Sequence, residues 1–164
     1  MGVPPEVKTL AARDLFERAR KCARDAAYLE RRIERMRAAE GVRGASLSPS
    51  VSGARADVSG TARVDARMDF EAMTRARLDE DHAVMDYACA VLYGSDGRSG
   101  LSALYGSQVA DLLWRHYLGD ESWETSAEMV GMPPRSCYRR AQAALDLVDF
   151  LSPEVVMAGE GGAT

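Results

Sequence analysis

Arg135, Arg139 and Gln142 recur at spacings of four and three residues near the start of a segment that reads as a helix. At about 100° per residue the three side chains share one face. Two guanidinium groups and a carboxamide so arranged are suited to base edges in a DNA major groove. Arginine bonds bidentately to guanine there, and glutamine to adenine. Ser136, Tyr138 and Arg140 flank the face, and their hydroxyl and guanidinium groups suit phosphate oxygens. This chemistry is recognition rather than catalysis. The sequence holds no nucleophile elbow, phosphate loop or paired metal-ligand motif. His82 and His116 stand apart from any Cys or carboxylate pattern, so no catalytic residue, metal or cofactor is expected.

Two elements must position that face. Trp123, Ala127 and Val130 fall at i, i+4 and i+7, which gives a short helix one apolar side. Ser122 suits its N-cap, because the hydroxyl can accept from a first-turn amide. Gly131 sits where that helix must stop and the backbone needs a left-handed residue. Pro133 and Pro134 suit the first turn of the next helix, where a missing N–H costs nothing. Cys137, Ala141, Ala144, Val148 and Leu151 then follow at 4-3-4-3 spacing and should face inward, opposite Arg135, Arg139 and Gln142. The plan is that of a helix-turn-helix with its second helix presented to a duplex.

Charge opposes this reading overall and favours it locally. The 164-residue chain has a formal net charge of −4, and residues 101–164 hold four basic and nine acidic groups. DNA affinity rests mainly on phosphate neutralisation, so nonspecific binding should be weak. Residues 132–145, however, hold three Arg and no acid, and Asp146, Asp149 and Glu154 fall towards the other end of the helix.

The rest of the chain reads as helices and joints, making the expected fold class all-α. Residues 5–40 read as one long helix with a heptad seam of Leu15, Ala19, Cys22, Ala26, Leu29, Ile33 and Met36. Residues 41–60, with four Gly, five Ser and one Pro, read as a flexible connector. A second helix is expected from Thr61 to Leu92. Val64, Met68, Leu78, Met85 and Leu92 should mark its apolar side, broadened by Phe70, Met73, Val84 and Tyr87. The first helix is net basic and the second acidic, which favours pairing them as an antiparallel hairpin or coiled coil, within one chain or between two copies. This arm spans 1–93, the helix-turn-helix domain of three helices 101–151, and a disordered tail 152–164. Arg31, Arg32, Arg35 and Arg37 read first as a solvated flank of the arm, and second as phosphate contacts. Cys22, Cys89 and Cys137 lack metal spacing and read as small apolar residues on helix faces. Trp114, Tyr117 and Trp123 read as core, and both histidines as isolated polar residues. No apolar run reaches the roughly 20 residues of a membrane helix, and residues 1–14 lack a signal peptide's apolar stretch, so a cytoplasmic protein is expected.

From Tyr105 to Leu145 the sequence resembles region 4 of bacterial sigma factors. It resembles more closely the small phage regulators with a sigma-like helix-turn-helix, such as late-gene activators of the RinA and ArpU type. The matching stretches are LLWRHYLGDESWETSAEMVG and MPPRSCYRRAQAAL. The upstream layout, a charged helix, a Ser/Gly-rich middle and a second charged helix, is similar as well. Arg140 and the double proline depart from the pattern, since such units usually carry an apolar residue at the position of Arg140. The resemblance implies a DNA-binding transcriptional regulator of phage or prophage origin. Its partners would be double-stranded DNA, host RNA polymerase and, through the arm, further copies of itself. Two other readings fit the same layout: a small terminase subunit or similar DNA-packaging assembly protein, and a protein-interaction adaptor.

Overall fold

The computed structural model describes residues 2–41 and 56–159, with side chains over 2–40 and 60–159. All regular structure among the described residues is helical. In chain order the helices are α1 Pro5–Lys8, α2 Ala12–Gly41, α3 Ala56–Tyr93 and α4 Gly100–Leu104. They continue with α5 Ser107–Leu113 and its wider last turn Trp114–Leu118, then α6 Trp123–Met129, α7 Pro134–Leu151 and α8 Pro153–Ala158. None is long and apolar enough to cross a membrane. Of the connector expected at 41–60, residues 42–55 lie outside the described residues, and 56–60 belong to the start of α3.

The helix expected over 5–40 is broken after Lys8. The Thr9 hydroxyl donates to the Glu6 carbonyl at 2.9 Å and closes the first short helix. A new helix then starts at Ala12, whose amide donates to the Asp149 carboxylate at 2.6 Å. A first-turn amide has no partner inside its own helix. Here the partner lies 137 residues away in sequence, so short-range pattern could not reveal the restart.

The helices fall into two units, and the boundary differs from the expected split at residue 93. One unit takes the residues through Arg24 together with those from Glu80 onward, and the other is Asp25–Asp79. The core of the first unit joins Leu15, Phe16 and Ala19 of α2 to Val84, Ala88 and Val91 of α3. Leu112 and Leu113, Ala127, Ala144 and Val148 complete it, with the Phe16 and Tyr117 ring centroids 5.5 Å apart. Burying a side chain the size of Leu or Phe stabilises by about 1.5–3 kcal/mol. The N-terminal helix is therefore part of this core, and the domain is larger than three helices over 101–151.

The expected tail at 152–164 is also corrected over its described part. Pro153 sits in the first turn of α8, Val156 is fully buried, and residues 160–164 lie outside the described residues.

In Asp25–Asp79, α2 and α3 pair antiparallel within one chain. Arg77 meets Asp25 at 2.9 Å, Arg37 meets Glu71 at 3.0 Å, and Arg67 meets Glu40 at 2.8 Å. The α2 seam is as expected: Ala26, Leu29 and Ile33 are buried and Met36 is half-buried. The α3 seam is not. Its inward stripe is Val64, Arg67, Glu71, Thr74, Leu78, Asp81, Met85, Ala88 and Leu92, every one buried or half-buried. That is an unbroken 3-4 heptad register in which four members are polar. Met68 and Met73, expected on the apolar side, are 57% and 81% exposed. Phe70 is half-buried beneath the Arg32 guanidinium, 4.9 Å from the ring centroid.

Candidate nucleic-acid interface

The turn between α6 and α7 is built as its residue types require. Ser122 is extended, and its Oγ accepts from the Thr125 amide at 3.1 Å, capping α6. At the other end Gly131 has φ +69°. The Met132 amide donates to the Ala127 carbonyl at 2.8 Å and the Gly131 amide to the Glu128 carbonyl at 3.1 Å. This is the paired closure of a left-handed helix stop, with Met132 buried beneath it. From α5, Gln108 Nε2 donates to the Val130 carbonyl at 2.8 Å and fastens the turn from outside. Pro134 then opens α7, and the Cys137 amide turns back to the Pro133 carbonyl at 3.2 Å.

Cys137, Ala141, Ala144, Leu145 and Val148 form the buried stripe of α7, while Leu151 is half-buried. Arg135 and Arg139 lie exposed on the other side, and Arg140 is exposed on a flank. Tyr138 is 50% exposed, its ring edge-on to Trp123 with centroids 5.9 Å apart. Ser136 and Gln142 are half-buried and already engaged. The Ser136 hydroxyl donates to the Pro133 carbonyl at 3.0 Å, and Gln142 Nε2 donates to Asp146 Oδ1 at 2.9 Å. Arg140 Nη1 reaches Gln108 Oε1 at 3.5 Å, the outer limit of a hydrogen bond. Of the six residues named from sequence, Arg135 and Arg139 are the ones that carry cationic groups with no hydrogen bond or ion pair among the described residues. Carboxylates of the last turn of α7 and the first turn of α8 are engaged as well. Asp149 takes the Ala12 amide, and Glu154 takes the Tyr87 hydroxyl at 3.2 Å.

Behind α6 lies a cluster that sequence reading missed. His116 is buried rather than an isolated polar residue, and its ring stacks on Trp123 with centroids 3.6 Å apart and planes 19° from parallel. Arginine can only donate, so Nε2 accepts from Arg20 Nη1 at 3.1 Å and Nδ1 donates to the Glu121 carbonyl at 2.9 Å. The neutral tautomer is thereby fixed. Burial first, and the neighbouring Arg20 charge second, push its pKa below the usual histidine range. Next to it Asp120, at φ +55°, accepts from Arg20 Nε at 2.8 Å and lies 2.7 Å from Arg24 Nη2. The bond from Arg24 and then that from Arg20 hold the Asp120 carboxyl down at about 2. These contacts bind the first half of α2 to the frame that carries α7. Arg13, Arg20 and Arg24 share one face of α2, a periodicity visible in the sequence, but the elements they meet were not. Tyr117 is buried and Trp123 half-buried, in keeping with a core role, whereas Trp114 is 41% exposed.

The described residues thus define an all-α protein with a capped helix, a glycine turn and a second helix presenting arginines outward. Comparison of the chain with family models, with curated proteins and with solved structures finds no match.

Proposed function

We propose that the chain is a sequence-specific DNA-binding regulator in which α7 enters a major groove. The observation that carries this reading is the exposure of Arg135 and Arg139 opposite a fully apolar stripe, one turn beyond a rigid glycine stop. An α-helix with its side chains is about 10–12 Å across and fits the roughly 12 Å groove. Arg135 and Arg139 then read guanine edges. Arg140 and the Tyr138 hydroxyl stand beside them for phosphates, whereas Ser136 and Gln142 would first have to exchange their present partners. The resemblance of residues 105–145 to sigma region 4 supports transcription as the process, with RNA polymerase as a protein partner and a phage or prophage as the source.

The test is binding of the full chain to promoter regions of its own genome at low salt. Replacing Arg135 and Arg139 together by Ala should lower specific affinity by at least about tenfold, since each bidentate pair contributes about 1–3 kcal/mol of base discrimination. Equal binding by both proteins would remove the assigned face.

Met68 and Met73, exposed on the helical pair of Asp25–Asp79, favour a second reading in which copies associate through that pair. A DNA-packaging assembly protein would use the same duplex-binding helix within a ring. Mass in solution separates the two readings: a closed ring of many copies supports packaging, and a monomer or dimer supports regulation.

A further inference from the structure

We infer that α2 is part of the duplex-binding surface, with Arg13 and the Tyr138 hydroxyl forming a two-element clamp on a DNA phosphate. The inference rests on the duplex-binding reading of α7 and extends it to a helix near the other end of the sequence. Arg13 lies on α2 and Tyr138 on α7, 125 residues apart, yet Arg13 Nη2 and Tyr138 Oη stand 3.5 Å from each other. That separation is the outer limit of a hydrogen bond, so neither donor is tightly committed. Both residues are exposed. Among the described residues Arg13 forms no ion pair, whereas Arg20 and Arg24 are both held by Asp120.

Tyr138 is one residue before Arg139 and therefore about 100° around the helix from it. A side chain so placed points to the flank of a groove-filling helix, where one phosphate strand runs. On that flank the neighbouring element is α2: Arg13 and Glu17 line a narrow cleft with Tyr138, Ala141, Gln142 and Leu145. A guanidinium and a phenol from two elements, a few ångströms apart, match the oxygens of one phosphate diester. Glu17, one turn along α2, opposes the same anion and should weaken the contact.

The test uses the full chain, a mixed-sequence duplex and the promoter duplex, titrated between about 50 and 200 mM salt. Arg13→Ala should weaken binding by a similar factor on both duplexes and reduce the slope of log affinity against log salt by about 0.9, one phosphate contact. Across that salt range the gap between wild type and variant then narrows about threefold. Arg13→Lys should restore most of the slope, and Glu17→Gln should tighten binding to both duplexes. Unchanged slope in Arg13→Ala, with a wild type that binds, overturns the clamp and leaves the α7 reading intact. A wild type that binds neither duplex at low salt overturns that reading and the clamp with it.

Discussion

The Asp149 carboxylate, in the last turn of α7, accepts the amide of Ala12 at 2.6 Å and so supplies the cap of α2 from another helix. Local capping by Ser, Thr or Asp stabilises a helix by about 0.5–2 kcal/mol. Here the same bond also fixes where α2 begins against the core. Asp149→Ala should therefore lower the unfolding free energy by about 1–2 kcal/mol. Asp149→Asn, which retains an accepting oxygen, should recover most of it. Chemical denaturation of the three proteins checks this, and an Ala variant as stable as wild type would show that the bond contributes nothing.

His116 makes stability depend on pH in a direction that can be worked out. In the folded chain burial and Arg20 depress its pKa, so the ring stays neutral where an exposed histidine would charge. In the unfolded chain it takes a proton near its ordinary value of about 6.5. Below that pH the unfolded state binds more protons than the folded one, so stability falls as pH falls towards the depressed folded value. Above about 6.5 the stabilisation is complete. The slope attributable to this residue is at most about 1.4 kcal/mol per pH unit. Denaturation at about pH 7.5 and about pH 5.5 should show a larger loss for wild type than for His116→Gln. Equal losses would mean that His116 titrates alike in both states.

The α7 stripe and its turn were legible because local rules specify them: a Ser cap, a left-handed Gly, Pro in a first turn and small apolar residues at helical spacing. Arg135 and Arg139 followed from the same periodicity. What local pattern could not show is who meets whom. The engagement of Gln142 by Asp146 and of Ser136 by Pro133 depends on rotamers. The union of α2 with α7 depends on Asp149, Arg13 and Phe16 finding partners a hundred or more residues away. On α3 the expectation fails at Met68 and Met73 for a different reason. Four of the nine seam positions, Arg67, Glu71, Thr74 and Asp81, carry no apolar signal, so periodicity points to Met68 and Met73 instead.

Asp81 is the costly member of that seam. It is 6% exposed, and its Oδ2 has no hydrogen-bond partner among the described residues. An unsatisfied buried polar atom costs about 1–3 kcal/mol, and a fitting apolar replacement recovers much of it. Asp81→Leu should therefore stabilise the chain by roughly 1 kcal/mol, raising Tm by about 2–4 °C for a chain of this size. Polar seam residues also fix register in paired helices. The same variant should thus show weaker discrimination between monomer and higher assemblies in light scattering. A fall in Tm would mean that the carboxylate contributes more to the fold than its burial costs.

Gly131 and Gly100 have nearly the same backbone, φ +69° and +72°, and should respond very differently to a methyl group. Around Gly131 a Cβ would meet nothing within 4 Å, so Gly131→Ala incurs only left-handed strain, about 1–2 kcal/mol. Asn tolerates that conformation better, and Gly131→Asn should cost less than Ala. At Gly100 a Cβ would drive into the backbone nitrogens of Gly94 and Tyr93, which no side-chain rotation can relieve. Gly100→Ala should therefore cost the same strain and a backbone rearrangement besides, exceeding the Gly131 loss by more than about 1 kcal/mol. Because the Gly131 turn sets the direction of α7, Gly131→Ala should also weaken promoter binding beyond its effect on folding. Paired denaturation and DNA-binding measurements read both effects. Equal destabilisation by the two alanines would show that the Gly94–Gly100 turn yields to the added methyl.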